Sequence, residues 1–229
     1  DWEGERIIWP PYSTDTIRNG VITERQAHHI RQNYGAKLSM IDHWLGKVLD
    51  ALDEGEFWDD TMIIFCTDHG HYLGEKDIFG KPRVMQYEPI GHTPLLIYHP
   101  QAEPASISAL TTNVDLHATL ADLFSLDVEH DTHGRSLLPE ILGTQCPGRD
   151  WAVGGIFGNW VQIQDGRYKY ARAPTGENYP LSMWSNRWST MPVPYYPGLR
   201  LPNPDERAFI DFMPGSTVPV LRQPFEPGD

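Results

Sequence analysis

Positive charge is scarce in this sequence: 18 lysines and arginines stand against 31 aspartates and glutamates, a net charge of -13 at pH 7 over 229 residues. A nucleic-acid-binding surface needs a surplus of Lys and Arg to displace phosphate counterions, so that class is excluded, although a local basic pocket is not. Cysteine is nearly absent as well. Its two copies, Cys66 at the end of an apolar run and Cys146 in a Pro/Gly loop, do not make the disulfide framework of a small secreted domain. No stretch reaches the ~18 apolar residues of a membrane span, and residues 1–20 carry no signal-peptide pattern. The chain therefore reads as soluble, cytoplasmic or exported. A starting methionine is missing, and "DWEGERIIWPPYSTD" has neither a helix nor a strand period, which suggests a piece of something larger. Repeats and low-complexity tracts are absent. What is present is apolar material, 40% of all residues, enough for a proper core.

Regular patterning begins at "TERQ", a capping box with Thr23 as N-cap and Gln26 three residues on. Ile30, Tyr34, Leu38, Ile41, Leu45, Leu49 and Leu52 then recur at three- and four-residue steps, which predicts one long amphipathic helix ending near Gly55. "TMIIFC" (61–66) and "TPLLIYHP" (93–100) are continuous apolar runs suited to strands buried on both faces of a parallel sheet. "NVDLHATLADLFSL" predicts another helix, with Leu116, Leu120, Leu123 and Phe124 inward and Asn113 or Asp115 as cap. Helix, strand, loop, strand, helix is an α/β order. Beyond residue 150 the grammar changes. Asp165-Gly166 between "VQIQ" and "RYKY" predicts a two-residue hairpin in a small antiparallel sheet. The last 56 residues hold 11 of the 20 prolines, with Trp184, Trp188, Tyr195 and Tyr196, and read as an irregular wrap. Two domains are expected, residues 1–145 and 146–229.

Chemistry concentrates in "TDHGHYLGEKDIFGK" (67–81), at the carboxyl end of the first strand, where open α/β sheets collect their ligands. Asp68 and His69 are adjacent, and a turn at Gly70 would let both reach one cation. An oxygen and nitrogen pair suits Ca²⁺, Mg²⁺, Mn²⁺ or Zn²⁺, which two ligands alone do not separate. Lys81 would return to the same pocket as a point charge for an anionic oxygen. His71, Lys76 and His92 are further polar candidates; a solvated turn is the competing reading of the whole loop. His28, His29, His43 and His117 fall on helices and read as solvated or packed. His130 and His133, flanking Asp131, read as a connecting turn, and Trp184 and Trp188 read as packing residues before cleft residues.

The run "YGAKLSMIDHWLGKVLDALDEGEFWDDTMIIFCTDHGHYLGEKDIFGK" followed by "GHTPLLIYHP" closely resembles the sulfatase family of the alkaline phosphatase superfamily. There a long helix with a "D..(V/L)G.(V/L)L..L" pattern leads through "FTSDHG..LGEHG.(W/F).K". "NVDLHATLADLFSLDVEHDTHGRSLLPEILG" and "DGRYKYAR" continue the resemblance, which covers residues 23 to about 173. It implies an alkaline phosphatase-like fold: a mixed, largely parallel sheet flanked by helices, with a smaller C-terminal antiparallel sheet subdomain. Asp68 and His69 match the family's second pair of metal ligands, which bind one divalent cation, usually Ca²⁺ with Mg²⁺ or Mn²⁺ as alternatives. Lys81 matches the lysine that contacts the transferring group and the leaving oxygen, and His92 falls where some members place another pocket residue. His71 and Lys76 depart from the commonest motif.

The resemblance also marks an absence. Sulfatases take a formylglycine nucleophile from "C.P.R" or "S.P.R", and neither motif appears here. Cys146-Pro147-Gly148-Arg149 has its proline one position early and lies in the wrong half of the family order. The implied function is part of a metal-dependent hydrolase of sulfate esters. Its nucleophile and first metal ligands would lie on an N-terminal segment of the same protein, so these residues alone are expected to be inactive. The alternatives are a phosphodiesterase or phosphonate monoester hydrolase of the same superfamily, or a non-catalytic, degenerate sulfatase-like module.

Overall fold

Thr23 opens helix α1 (Glu24–Glu54) with the predicted reciprocal cap: its hydroxyl accepts the Gln26 N–H at 3.2 Å, and the Gln26 side chain accepts the Thr23 N–H at 2.8 Å. The helix closes at Gly55, whose N–H returns to the Ala51 carbonyl. The computed structural model describes residues 13–128, 130–145, 148–156, 160–175, 181–185 and 209–225. Trp188, Tyr195, Tyr196 and Cys146 lie outside them. The chain divides into two compact units, residues 1–106 with 141–143 and residues 107–140 with 144–229. The second unit begins at Ile107.

In the first unit, α1 is followed by β1 (Ile63–Cys66), a short hairpin of β2 (Tyr72–Leu73) and β3 (Phe79–Gly80), the one-turn helix α2 (Glu88–Gly91) and β4 (Leu95–Tyr98). The hairpin is the best-buried part. Its alternation sends Phe79 and Leu73 against Ile22, Ala27 and Ile30 at the start of α1, while Tyr72 and Ile78 pack with Ile90, Val84 and Tyr87. Burying Tyr72 and Phe79 completely, at roughly 1.5–3 kcal/mol for a large apolar side chain, fixes the loop that runs between them and β1.

Two expectations about this unit are corrected. β1 pairs with β4 antiparallel, with Ile63 opposite Tyr98 and Cys66 opposite Leu95, and every strand pair among the described residues is antiparallel. A parallel return needs a crossover that carries the chain back to the same sheet edge. Residues 67–94 instead hold a tight hairpin and a four-residue helix, and the chain re-enters running the other way. Nor are these strands buried on both faces, since Leu96 is 60% exposed and Phe65 and Tyr98 are exposed too. The apolar stripe of α1 is fully buried only at its start: Ala27 and Ile30 are buried, Tyr34, Leu45, Leu49 and Leu52 are half-buried, and Leu38 and Ile41 face outward.

The second unit holds α3 (Val114–Leu123), the one-turn helix α4 (Leu138–Ile141), whose last residue falls in the first unit, and two antiparallel sheets. One has the order β5 (Ala152–Gly155), β6 (Val161–Gln164), β7 (Lys169–Arg172); the other is β8 (Leu181–Ser185), β10 (Pro219–Phe225), β9 (Phe209–Phe212). The inward face of α3 differs from the expected leucine face. Asp115, Thr119 and Ala121 are buried, whereas Leu120 and Phe124 are exposed. The Asp115 carboxylate accepts the Thr112 N–H at 2.8 Å and the Arg135 N–H at 2.9 Å, and the Arg149 guanidinium closes on both of its oxygens. Thr119 accepts the buried Leu137 N–H at 2.9 Å. Gly134 lies so close to this turn that a Cβ would sit 2.2 Å from the Val114 carbonyl oxygen. A polar clasp, not a leucine seam, docks the 134–137 turn on α3.

The β6–β7 turn is four residues long, not two: Gln164 pairs with Lys169, and the Asp165 side chain accepts the Arg167 and Tyr168 N–H groups at 2.8 and 2.6 Å. The Asp165 N–H also donates to the Tyr168 carbonyl at 3.2 Å, so the carboxylate adds to a backbone-bonded turn. The tail read as an irregular wrap contributes the three strands β8, β9 and β10. Pro219 occupies the first position of β10, where no ladder donor is needed.

Candidate functional site

The end of β1 delivers Thr67 and Asp68 into a turn that Gly70 makes possible. The Gly70 N–H donates to the Ile90 carbonyl at 3.0 Å, and a Cβ on residue 70 would lie 1.8 Å from the Pro89 carbonyl oxygen. Only glycine allows this approach to α2. The turn brings the two predicted ligands together: Asp68 Oδ2 is 3.3 Å from His69 Nε2, with the Asp68 side chain 81% and the His69 side chain 34% exposed. Asp68 Oδ1 accepts the His69 N–H at 2.9 Å. The slight burial of Asp68 pushes its pKa up, but the His69 and Asp68 N–H groups and the nearby Lys81 ammonium outweigh this and hold it below the ordinary carboxylate value.

His69 Nδ1 lies 2.8 Å from the Gly70 carbonyl oxygen. A carbonyl only accepts, so Nδ1 carries the proton and Nε2 presents its single lone pair. This backbone partner is the kind that fixes the tautomer of metal-ligating histidines. Lys81, anchored by the buried residues of β3, returns across twelve residues of sequence and places Nζ 2.7 Å from the same Nε2. Asp68, His69 and Lys81 therefore form one cluster. A carboxylate oxygen and an imidazole nitrogen aimed into the same space are a donor set that fits a divalent cation. Among the described residues no third His, Cys, Asp or Glu joins them.

The other candidates are held elsewhere. His92 Nδ1 lies 2.9 Å from a Glu88 carboxylate oxygen, one turn back along α2. Lys76, in the left-handed region at φ 55°, lays its ammonium over the Tyr87 ring at 4.8 Å, a packing role. His71 donates from Nδ1 to the Tyr72 carbonyl at 2.9 Å and stacks 5.6 Å from Tyr34 of α1, and burial pushes its pKa below the ordinary imidazole value. His130 forms a β-bridge with Ser216, and the His133 carbonyl accepts from Arg149 of the clasp. The Trp184 ring is faced by the Arg222 guanidinium at 5.2 Å.

Sequence reasoning missed Arg31. From α1 its Nε donates to the Leu73 carbonyl at 2.7 Å, and its guanidinium lies 5.7 Å from the Phe79 ring centre, bracing the hairpin that carries Lys81. The available signal was a cation one residue past Ile30 on the apolar stripe. Asp77 was missed too: its carboxylate accepts the Ile17 and Arg18 N–H groups at 2.7 and 3.0 Å, tying the segment before α1 to the loop.

A family model described as Sulfatase matches residues 9–126, just over half of the chain. The chain belongs to the sulfatase family. The choline-sulfatase of Rhizobium meliloti (strain 1021) is 33% identical to this sulfatase chain over 159 residues, 67% of this chain and 31% of that protein. Arylsulfatase K of Gallus gallus is 33% identical over 124 residues, 54% of this chain and 23% of that protein. Among solved structures, the phosphonate monoester hydrolase of Agrobacterium radiobacter is similar with a TM-score of 0.59 and 26% identity, covering 66% of this chain and 34% of its own. That likeness supports an alkaline phosphatase-like fold. This sulfatase chain spans about a third or less of the length of the curated relatives it matches. No helix among the described residues is long and apolar enough to cross a membrane.

Proposed function

We propose that this chain carries part of the active site of a sulfatase-type hydrolase, with Asp68 and His69 as ligands of one divalent cation and Lys81 as the charge that meets the anionic ester. The observation that carries the reading is the convergence of Asp68 Oδ2 and the tautomer-fixed His69 Nε2 at 3.3 Å, beside the Lys81 ammonium. When bound, the cation, Ca²⁺ by family resemblance with Mg²⁺ or Mn²⁺ as alternatives, supplies Lewis-acid polarisation of the sulfate oxygens. Asp68 contributes the negative charge that holds it, and the Gly70 carbonyl keeps His69 in the ligating tautomer. Lys81 offsets the negative charge that builds on the leaving oxygen as the S–O bond breaks. The nucleophile, of formylglycine type in this family, and the remaining metal ligands are assigned to a segment of the same protein outside these 229 residues.

A second reading has an observation of its own: the structural likeness to a phosphonate monoester hydrolase, whose chemistry would use the same ligands on phosphorus. Rates of the intact protein on an aryl sulfate and on a phosphonate monoester separate the two, and a higher kcat/KM for the sulfate is expected. A His69→Ala variant is expected to lose more than the roughly 10–100-fold that removal of a ligand's outer-shell partner costs, in either rate. Undiminished rates in that variant would remove the ligand assignment, and no turnover of either ester by the intact wild-type protein would point to a non-catalytic module.

A further inference from the structure

His69 Nε2 has one lone pair, and two groups are placed to take it. Because Nδ1 is committed as a donor to the Gly70 carbonyl at 2.8 Å, Nε2 is the only acceptor the ring offers, and the Lys81 ammonium uses it at 2.7 Å. A divalent cation held by Asp68 Oδ2, 3.3 Å away, would need that same lone pair at a ligand distance of roughly 2.0–2.5 Å. Nitrogen and metal do not share it, and the two positive charges repel at such separation. The supports on either side are firm: Gly70 is pinned to Ile90, and Lys81 follows the buried strand β3. What moves is the lysine side chain, an exposed four-carbon stem with a freely rotating head.

We infer that Lys81 and the divalent cation bind His69 Nε2 in alternation, so that metal loading releases the Lys81 ammonium from the imidazole and makes it available to an ester oxygen. The inference rests on the metal reading of Asp68 and His69. It makes Lys81 responsive to the state of the site: the lysine is withheld until the ligand pair is filled.

The test uses the intact protein with Ca²⁺ as the probe and Mn²⁺ as a second cation, and reads binding rather than turnover. Calorimetry of the wild type and of Lys81→Met is expected to show tighter Ca²⁺ binding in the variant, by about tenfold, because a competing cation is gone. Electrostatic relief alone would also tighten binding, so nitrogen-15 NMR of the wild-type Lys81 ammonium supplies the deciding readout. Its hydrogen-bonded signal is expected before Ca²⁺ is added, lost at saturation, and restored by a chelator. Equal affinities, or a Lys81 signal that persists with His69 at saturating Ca²⁺, would overturn the alternation and leave the metal site standing. Failure of both proteins to bind either cation would overturn the metal reading and the alternation with it.

Discussion

Asp68 stands just past β1 with its side chain 81% exposed, whereas Asp115 is fully buried in α3. Both carboxylates are held below their ordinary pKa. At Asp115 burial pushes the value up, and the Arg149 guanidinium with the Arg135 and Thr112 N–H groups outweighs it. At Asp68 a much smaller burial is outweighed by the His69 and Asp68 N–H groups and by the nearby Lys81 ammonium. The partners make the difference. Asp115 spends both oxygens inside the fold, on groups as far as 34 residues away in sequence. Asp68 spends Oδ1 on its own turn and aims Oδ2 toward an imidazole lone pair. One carboxylate ties distant segments of the fold together, and the other, exposed, caps its own turn.

Replacing Asp115 by Ala should break this comparison most severely, because it strands the Arg149 charge and two buried N–H groups. Urea denaturation is expected to show a loss of about 3–5 kcal/mol, against a change within about 0.5 kcal/mol for Asp68→Ala. Equal losses would mean that Asp68 is structural after all. The pH dependence sharpens the same contrast. A folded pKa below the unfolded value means that the unfolded state binds more protons in the window between them. The Asp115 contribution is thus fully present above the unfolded value near ~3.9 and is lost as pH falls through the folded one. Acid titration of stability should show this loss in the wild type and a flatter profile in Asp115→Asn. The smallest expected effect is at the α1 cap: Thr23→Ala should cost about 1 kcal/mol, read from the urea midpoint.

The contrast also explains what was legible in the sequence. Local signals carried through: the Thr23–Gln26 box, the length of α1 and the Asp68–Gly70 turn each depend on neighbours within a few residues. The inward face of α3 did not carry through. An apolar period points Leu120 and Phe124 inward, and only the distant Arg149 makes burial of Asp115 affordable. Arg149 sat in a stretch set aside because it mimics a nucleophile motif. A signal was there in Asp115 and Thr119, one turn apart on one face, a polar pair that needs a partner. The direction of β4 was illegible for a related reason, since it depends on how the 67–94 segment folds rather than on the apolar run itself. At the site, the sequence singled out Asp68, His69 and Lys81, which the structure places side by side. It did not show that Lys81 takes the His69 nitrogen, or that Arg31 and Asp77 brace the loop.

The most direct test is the metal content and sulfate-ester turnover of the intact protein with Asp68 replaced by Ala, measured with and without a chelator and added Ca²⁺. The account predicts that the wild type loses turnover to the chelator and regains it with Ca²⁺. It predicts that the folded variant is depleted of metal and has lost its metal-dependent turnover. A variant with wild-type metal content and wild-type turnover would contradict it.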